Sequence, residues 1–311
     1  MKSIILKDFG SVDNLTITDL PIPSLQEGEV LIRTKAISIN PIDVKTRAGR
    51  GASAAFKDTD PIILGWDVSG IVETSKSDLF KTGDAVFGMV NFPGQGKAYA
   101  EYVAAPASHL ALKPDNISHE AAAASSLAAL TVWQILKNYA KIKKGDRVLI
   151  HAAAGGVGHY AVQMAKYLGA HVIGTSSAAK KDFVLSLGAD EHIDYQKQPL
   201  EEATKDINFV LDSLGGESID HSLNVMKKGG TIVSIPSGLN EQVGEKAAAK
   251  GMHGFATKAY SSGTDMQEIA ELLKNGQVKS HISQTFKLEQ MREAHLSLET
   301  GKTQGKIVLT F

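Results

Sequence analysis

Along the first 117 or so residues, apolar positions fall in short β-type runs at Leu15–Asp19, Val30–Ile39, Val68–Thr74, Ala85–Val90 and Ala98–Ala104. Pro/Gly turns such as PIPSLQEGEV and FKTGDAVFG separate them. Close spacing of this kind predicts a β-rich module, a compact barrel. The texture changes after Lys113-Pro114: Ser118 suits a helix N-cap with Glu120 in the first turn, and helical sequence follows at Ala121–Ala124 and Leu127–Tyr139. Beyond Arg147, strands expected at Val148–Ala152, His171–Thr175, His192–Tyr195, Phe209–Asp212, Thr231–Pro236 and Gly254–Thr257 alternate with helical stretches. That alternation predicts an α/β protein with a doubly wound parallel sheet, whose ligand crevice lies at the carboxyl ends of its strands. Met266–Asn275 reads as a helix, and His281–Phe286 and Lys306–Phe311 read as strands flanking a helix at Leu288–Glu299. The last strands are expected to return to the first module, giving domains at 1–120 with 265–311 and at 121–264.

The stretch RVLIHAAAGGVGHYAVQMAKYLGAHVIGTSS, residues 147–177, combines a buried-type strand, a glycine turn, an amphipathic helix and a second strand. In the helix, apolar or small residues recur at Val157, Ala161, Met164, Ala165 and Leu168, spaced by three and four. Gly155, Gly156 and Gly158 crowd four positions, with Ala153 in the first place of an imperfect G-x-G-x-x-G. The bland reading is a tight turn in a parallel sheet. The strand before it and the helix after it supply the context a pyrophosphate-binding turn requires, with backbone N–H groups aimed at the phosphates. An NAD-binding chain places Asp or Glu at the end of the second strand to hold the ribose 2′-hydroxyl. Here Thr175, Ser176 and Ser177 stand there, followed by Lys180 and Lys181. Hydroxyls and cations suit a 2′-phosphate, so NADPH is the expected cofactor. Ordinary solvated lysines opening a helix are the competing explanation.

Composition then narrows the picture. A chain of 311 residues is long for one core and fits two domains. The formal net charge is −1 with acids and bases interspersed, and no basic stripe or apolar run of spanning length occurs. Neither a nucleic-acid partner nor a membrane is therefore expected. The N-terminus MKSIILKDFG lacks a secretory signal pattern, which makes a reducing cytoplasm the expected compartment. There is no cysteine, which removes disulfides, thiol catalysis and thiolate metal ligands together.

In sequence order, INPIDVK at 39–45, GWDVSGIV at 65–72, GDAVFG at 83–88, LAALTVWQIL at 127–136, HAAAGGVG at 151–158, LGADEHIDY at 187–195 and GKTQGKIVL at 301–309 resemble one family. It is the zinc-independent quinone oxidoreductases of the medium-chain dehydrogenase/reductase superfamily, the zeta-crystallin and alkenal-reductase branch. The resemblance covers essentially the whole chain. It implies a GroES-like β-barrel domain, a Rossmann domain, a cleft between them for NADPH and substrate, and a homodimer. It also assigns roles. Gly155, Gly156 and Val157 border the pyrophosphate; Ser176, Lys180 and Tyr195 meet the 2′-phosphate, with Lys181 as the competing lysine; Thr131 lies near the nicotinamide half. Leu214, Ile235 and the His253-Gly254-Phe255 stretch contact adenosine or nicotinamide. Asn40 and Asp43 are the polar pair near the reacting ring. Each also has a structural explanation: Asn-Pro suits a turn, Tyr195 can pack after a strand, and Thr131 can bond back within its helix.

The departures from the zinc enzymes matter. Those carry Cys ahead of the equivalent of Asp43 and Gly-His-Glu where this chain has Gly65-Trp66-Asp67. Trp cannot ligate zinc, and no metal is expected. Tyr139 and Lys143 form a Y-x-x-x-K, but it precedes the glycine turn, so a short-chain dehydrogenase does not fit. Without metal or thiol, the expected reaction is hydride transfer from NADPH to a quinone or an α,β-unsaturated carbonyl, where conjugation spreads the incoming charge onto oxygen. The alternative is an NADPH-binding protein with structural or redox-sensing duty and little turnover.

Overall fold

Both patterns become structure in a computed structural model that describes all 311 residues and divides into two units, Met1–Leu130 with Ala259–Phe311, and Thr131–Lys258. The first unit opens with a hairpin of β1 (Lys2–Leu6) and β2 (Leu15–Asp19), paired Lys2 to Asp19. The long β3 (Glu29–Ile39) is its central strand, and α1 (Pro41–Arg47) follows at once. Next come β4 (Asp67–Ser75), β5 (Ala85–Met89), β6 (Tyr102–Pro106) and β7 (Leu110–Leu112), then α2 (His119–Ile135). Register shifts near Leu31 and Thr34 let β3 pair antiparallel with β4 along its length. Its first half also pairs with β6, and its last residues pair with the C-terminal strand described below. Ile32, Ile37, Ile39, Phe87, Trp66 and Tyr99 are fully buried here. Each such side chain contributes about 1.5–3 kcal/mol by leaving water.

The second unit is built from β8 (Arg147–Ile150), α3 (Gly158–Tyr167), β9 (His171–Ser176), α4 (Lys181–Ser186), β10 (Glu191–Asp194) and α5 (Leu200–Ala203). It continues with β11 (Ile207–Asp212), α6 (Glu217–Val225), β12 (Met226–Ser234), α7 (Val243–Ala249) and β13 (His253–Ala256). All six strands are parallel, in the order β10-β9-β8-β11-β12-β13. This is the dinucleotide-binding strand order, and its reversal between β8 and β11 is the switch point where ligands bind. The chain then re-enters the first unit with α8 (Gly263–Lys274), β14 (Ile282–Lys287), α9 (Met291–Glu299) and β15 (Lys306–Thr310). β15 pairs antiparallel with β3, with Ile307 opposite Ile39.

The α/β class, the barrel-type first unit and the six parallel strands agree with the sequence reading. Some elements differ. β1 was not anticipated, because SIIL is short and gains strand character only by pairing with β2. The two helical stretches around Ser125-Ser126 are one helix, because both hydroxyls donate back to the Ala122 carbonyl and satisfy themselves within it. The strand expected at Ala98–Ala104 lies at Tyr102–Pro106, and the preceding residues bend, with Ala100 bridging to Ser3.

Candidate functional site

In the second unit the candidate site is the row of turns after the carboxyl ends of the parallel strands. β8 leads into Ala152, whose φ of 48° is left-handed and costly for alanine, about 1 kcal/mol. The Ala153 N–H donates to the Thr175 carbonyl at 2.9 Å and the Gly155 N–H to the Ala152 carbonyl at 2.8 Å, which fixes the loop. A Cβ at Gly158 would lie 2.2 Å from the Ala152 carbonyl oxygen, so only glycine allows the helix to start this close to the strand. Gly155, Gly156 and Val157 form the last turn before α3, which is closed onto the helix by the His159 N–H donating to the Gly155 carbonyl at 3.1 Å. A cradle of this shape fits a pyrophosphate.

At the end of β9, Ser176 is buried; its hydroxyl donates to the Ser177 carbonyl at 3.1 Å and lies 2.8 Å from His192 Nε2. Lys180 is half-buried just before α4, and that burial lowers its pKa. Lys181 begins the helix and is exposed. Tyr195 follows β10 and is exposed. After β11, the fully buried Asp212 accepts from the Leu214 and Gly215 N–H groups and from the Ser218 and Ser234 hydroxyls. Leu214 is thereby presented outward on a fixed turn. Ile235, just past β12, donates its N–H to the Asp212 carbonyl. Phe255 packs on Tyr139 with ring centroids 4.8 Å apart. Thr131 is buried in α2. His253 stands apart from the strand ends: it is the first residue of the edge strand β13, exposed, and in register with Thr231. His151, at the end of β8, is buried between the Thr175 and Ser222 hydroxyls at 3.2 and 2.8 Å, and burial lowers its pKa.

The first unit holds a second polar centre at the end of β3. Asn40 is the N-cap of α1; its N–H is bonded to the Asp43 carboxylate at 2.6 Å, closing a capping box. The Asn40 Nδ2 donates to Asp67 Oδ2 at 2.8 Å, and its Oδ1 accepts from the Lys306 ammonium. Asp67 also accepts from the Ser38 hydroxyl and, at 2.8 Å, from the Leu127 N–H. Lys306 Nζ lies 3.8 Å from Asp67 and bonds the Ile39 carbonyl at 3.1 Å. All are buried. Burial pushes Asp43 up to about 8, with the Asp67 charge adding to the rise and the Asn40 N–H, Lys306 and Tyr99 opposing it. Asp67 is also raised by burial and Lys306 lowered, each opposed by the other's charge. With its pKa near 8, Asp43 is mostly protonated at pH 7, while Asp67 and Lys306 stand as partners 3.8 Å apart. Beside it the Tyr99 hydroxyl lies 3.1 Å from His295 Nε2, and burial drives His295 down to about 3.

The structure thus joins Asn40 and Asp43, as the sequence pairs them, but binds both into a network with Asp67 and Lys306. Lys306 went unassigned at the level of sequence. Its signal was present: a lysine opening an apolar strand, KIVL, signals a buried partner for its charge. His192 was read only as a strand residue.

Residues 26–115 match the family described as "Alcohol dehydrogenase GroES-like domain", and residues 187–309 that described as "Zinc-binding dehydrogenase". The chain is 33% identical to the mouse protein "NAD(P)H oxidoreductase RTN4IP1, mitochondrial", over 99% of this chain and 89% of the relative. It is 32% identical to "NADPH-dependent alkenal/one oxidoreductase, chloroplastic" of Arabidopsis thaliana, over 99% and 79%. The quinone oxidoreductase of Coxiella burnetii superposes with a TM-score of 0.95 at 36% identity, covering 100% of this chain and 99% of that one. This chain belongs to the medium-chain dehydrogenase/reductase superfamily, in its quinone oxidoreductase and alkenal reductase branch. The relatives' names place two of them in organelles, so the branch extends beyond the cytoplasm. No helix here is long and apolar enough to cross a membrane.

The description of the second matched family implies zinc, and the donors present do not suit it. The Trp66 indole is buried and donates to the Gly94 carbonyl at 2.7 Å. Asn40 and Asp67 already face the Lys306 ammonium, which supplies the positive charge there. No group of three or more His, Cys, Asp or Glu side chains is placed to hold a metal ion.

Proposed function

We propose that this protein is an NADPH-dependent, metal-free reductase that delivers hydride to quinones or α,β-unsaturated carbonyls. The observation that carries the reading is the end of β9, where a buried serine hydroxyl and a half-buried lysine stand in place of the carboxylate an NAD site needs. Bound reduced nicotinamide supplies the hydride. Gly155, Gly156 and Val157 border the pyrophosphate, and Ser176, Tyr195 and Lys180, with Lys181 as the competing lysine, receive the 2′-phosphate. Thr131, Leu214, Ile235 and Phe255 line the remainder of the cofactor; His253, at the opposite end of β13, is the weakest member of this set.

In the first unit, the Asn40 amide has two N–H bonds, of which Asp67 takes one. The other is the donor assigned to the oxygen on which charge develops as hydride arrives. Lys306 and Asp67 grip the amide from both ends, so it cannot rotate away. Asp43 closes the cap that fixes the Asn40 backbone.

The test is NADPH and NADH consumption with one quinone, one short alkenal and one enoyl thioester side by side, with and without chelator. Turnover with NADPH, indifferent to chelator, is expected for at least one conjugated acceptor. Tight NADPH binding with no oxidation by any of them would replace the reductase reading with a structural or sensing one.

A further inference from the structure

We infer that His192 is a further element of the 2′-phosphate pocket, a side chain that takes up a proton when NADPH binds and so makes the choice of NADPH over NADH depend on pH. The inference rests on the NADPH reading above and goes beyond it, because an imidazole can change its charge near neutral pH and so adds a pH dependence to the pocket.

The geometry comes from strand register. β10 lies parallel to β9 at the edge of the sheet, with His192 opposite Gly174 and Asp194 opposite Ser176. Residues at these alternate positions share one face of the sheet. His192 therefore leans along the strand direction toward Ser176, and its Nε2 reaches the Ser176 hydroxyl at 2.8 Å. Ser176 is the last residue of β9, where the ribose of a dinucleotide is met.

The groups of the protein that face the imidazole favour a neutral ring. Burial lowers its pKa, Lys181 from α4 lowers it further, and Asp194 on its own strand opposes them. Asp194 is itself turned inward: Oδ2 is buried with no hydrogen-bond partner, while Oδ1 accepts from the Gln196 N–H at 3.2 Å. A phosphate dianion beside Ser176 reverses the balance, because it favours the imidazolium. The Ser176 hydroxyl can then accept from Nε2–H and donate to a phosphate oxygen, giving up the Ser177 carbonyl. NADH, with a hydroxyl in that place, has no charge to draw the proton.

The experiment measures dissociation constants of NADPH and NADH by nucleotide fluorescence at pH ~6 and pH ~8.5, for the wild type and His192→Gln, a variant that keeps a hydrogen-bonding side chain without a titrating one. The 2′-phosphate's own ionisation is common to both proteins and cancels in the ratio. A single proton worth about one pKa unit predicts that NADPH affinity falls about tenfold more in the wild type than in His192→Gln, while NADH affinity stays flat in both. Calorimetry in two buffers of different ionisation enthalpy should show extra proton uptake by the wild type near neutral pH. Equal pH dependence in the two proteins, with NADPH still preferred, overturns the role of His192 and leaves the NADPH reading standing. Equal binding of NADPH and NADH by the wild type at both pH values overturns both.

Discussion

The two polar centres of this chain are built on opposite electrostatic plans. Around Asn40, two carboxyl groups, a lysine and a serine hydroxyl are sealed from water and satisfy one another within the protein. Around Ser176, lysines and a histidine remain half-exposed with an excess of positive or protonatable groups. A closed network resists change because every removal leaves a buried charge alone. An open one is incomplete until an anion arrives. The first suits a rigid donor to a reacting atom, the second a site that selects its ligand by charge.

The largest effect expected from testing this contrast is at Lys306. Lys306→Met strands the Asp67 charge and should cost about 3–5 kcal/mol in urea denaturation, while adding Asp67→Asn, which removes the charge and keeps an acceptor for the Ser38, Asn40 and Leu127 donors, should recover part of it. A loss below about 1 kcal/mol for the single variant would mean that water reaches the cluster after all. Next is Asn40→Ala, which should lower kcat by about two orders of magnitude, a transition-state effect of ~3 kcal/mol, with NADPH affinity unchanged. If KM rises and kcat holds, Asn40 is only a helix cap. Replacing both Lys180 and Lys181 with alanine should weaken NADPH by about 2 kcal/mol and NADH hardly at all, as read by fluorescence titration. Equal weakening of both cofactors removes the lysines from the phosphate pocket.

Smallest per step is a pH slope, about 1.4 kcal/mol per pH unit for one proton. Asp43 is raised in the folded protein to about 8 from a usual value near 3.8. The folded state therefore binds one more proton than the unfolded state between those values, so its contribution to stability is full below pH ~3.8 and drains away as pH rises toward ~8. Asp43→Asn should flatten that part of the stability profile measured by denaturation at several pH values. An unchanged profile would assign the slope to other groups.

Much of the scaffold was readable in advance. The alternation from Val148 to Thr257 gave the parallel sheet because buried strands write themselves as β-branched runs and glycine turns punctuate them. The glycines at 155, 156 and 158 located the turn between β8 and α3 for the same local reason. What escaped was non-local. Lys306 meets Asn40 across 266 positions of chain, and only the pairing of β15 with β3 brings them together. His192 reaches Ser176 through the register of neighbouring parallel strands, which no motif encodes. Spacing along the chain also gave no hint that His253 opens its edge strand while Phe255 packs against Tyr139 two residues later.

The pairing of β15 with β3 also sets a timetable. On the ribosome, the middle of the chain emerges complete and can fold while the first unit still lacks its closing residues. Asp67 must wait for a cation synthesised 239 residues later, a lag that follows from positions 67 and 306. During that interval the nascent barrel exposes an unfilled strand position beside β3, a template open to a foreign strand. Loss of the last six residues would make that transient vulnerability permanent, since Lys306 to Phe311 hold both the strand and its counter-charge.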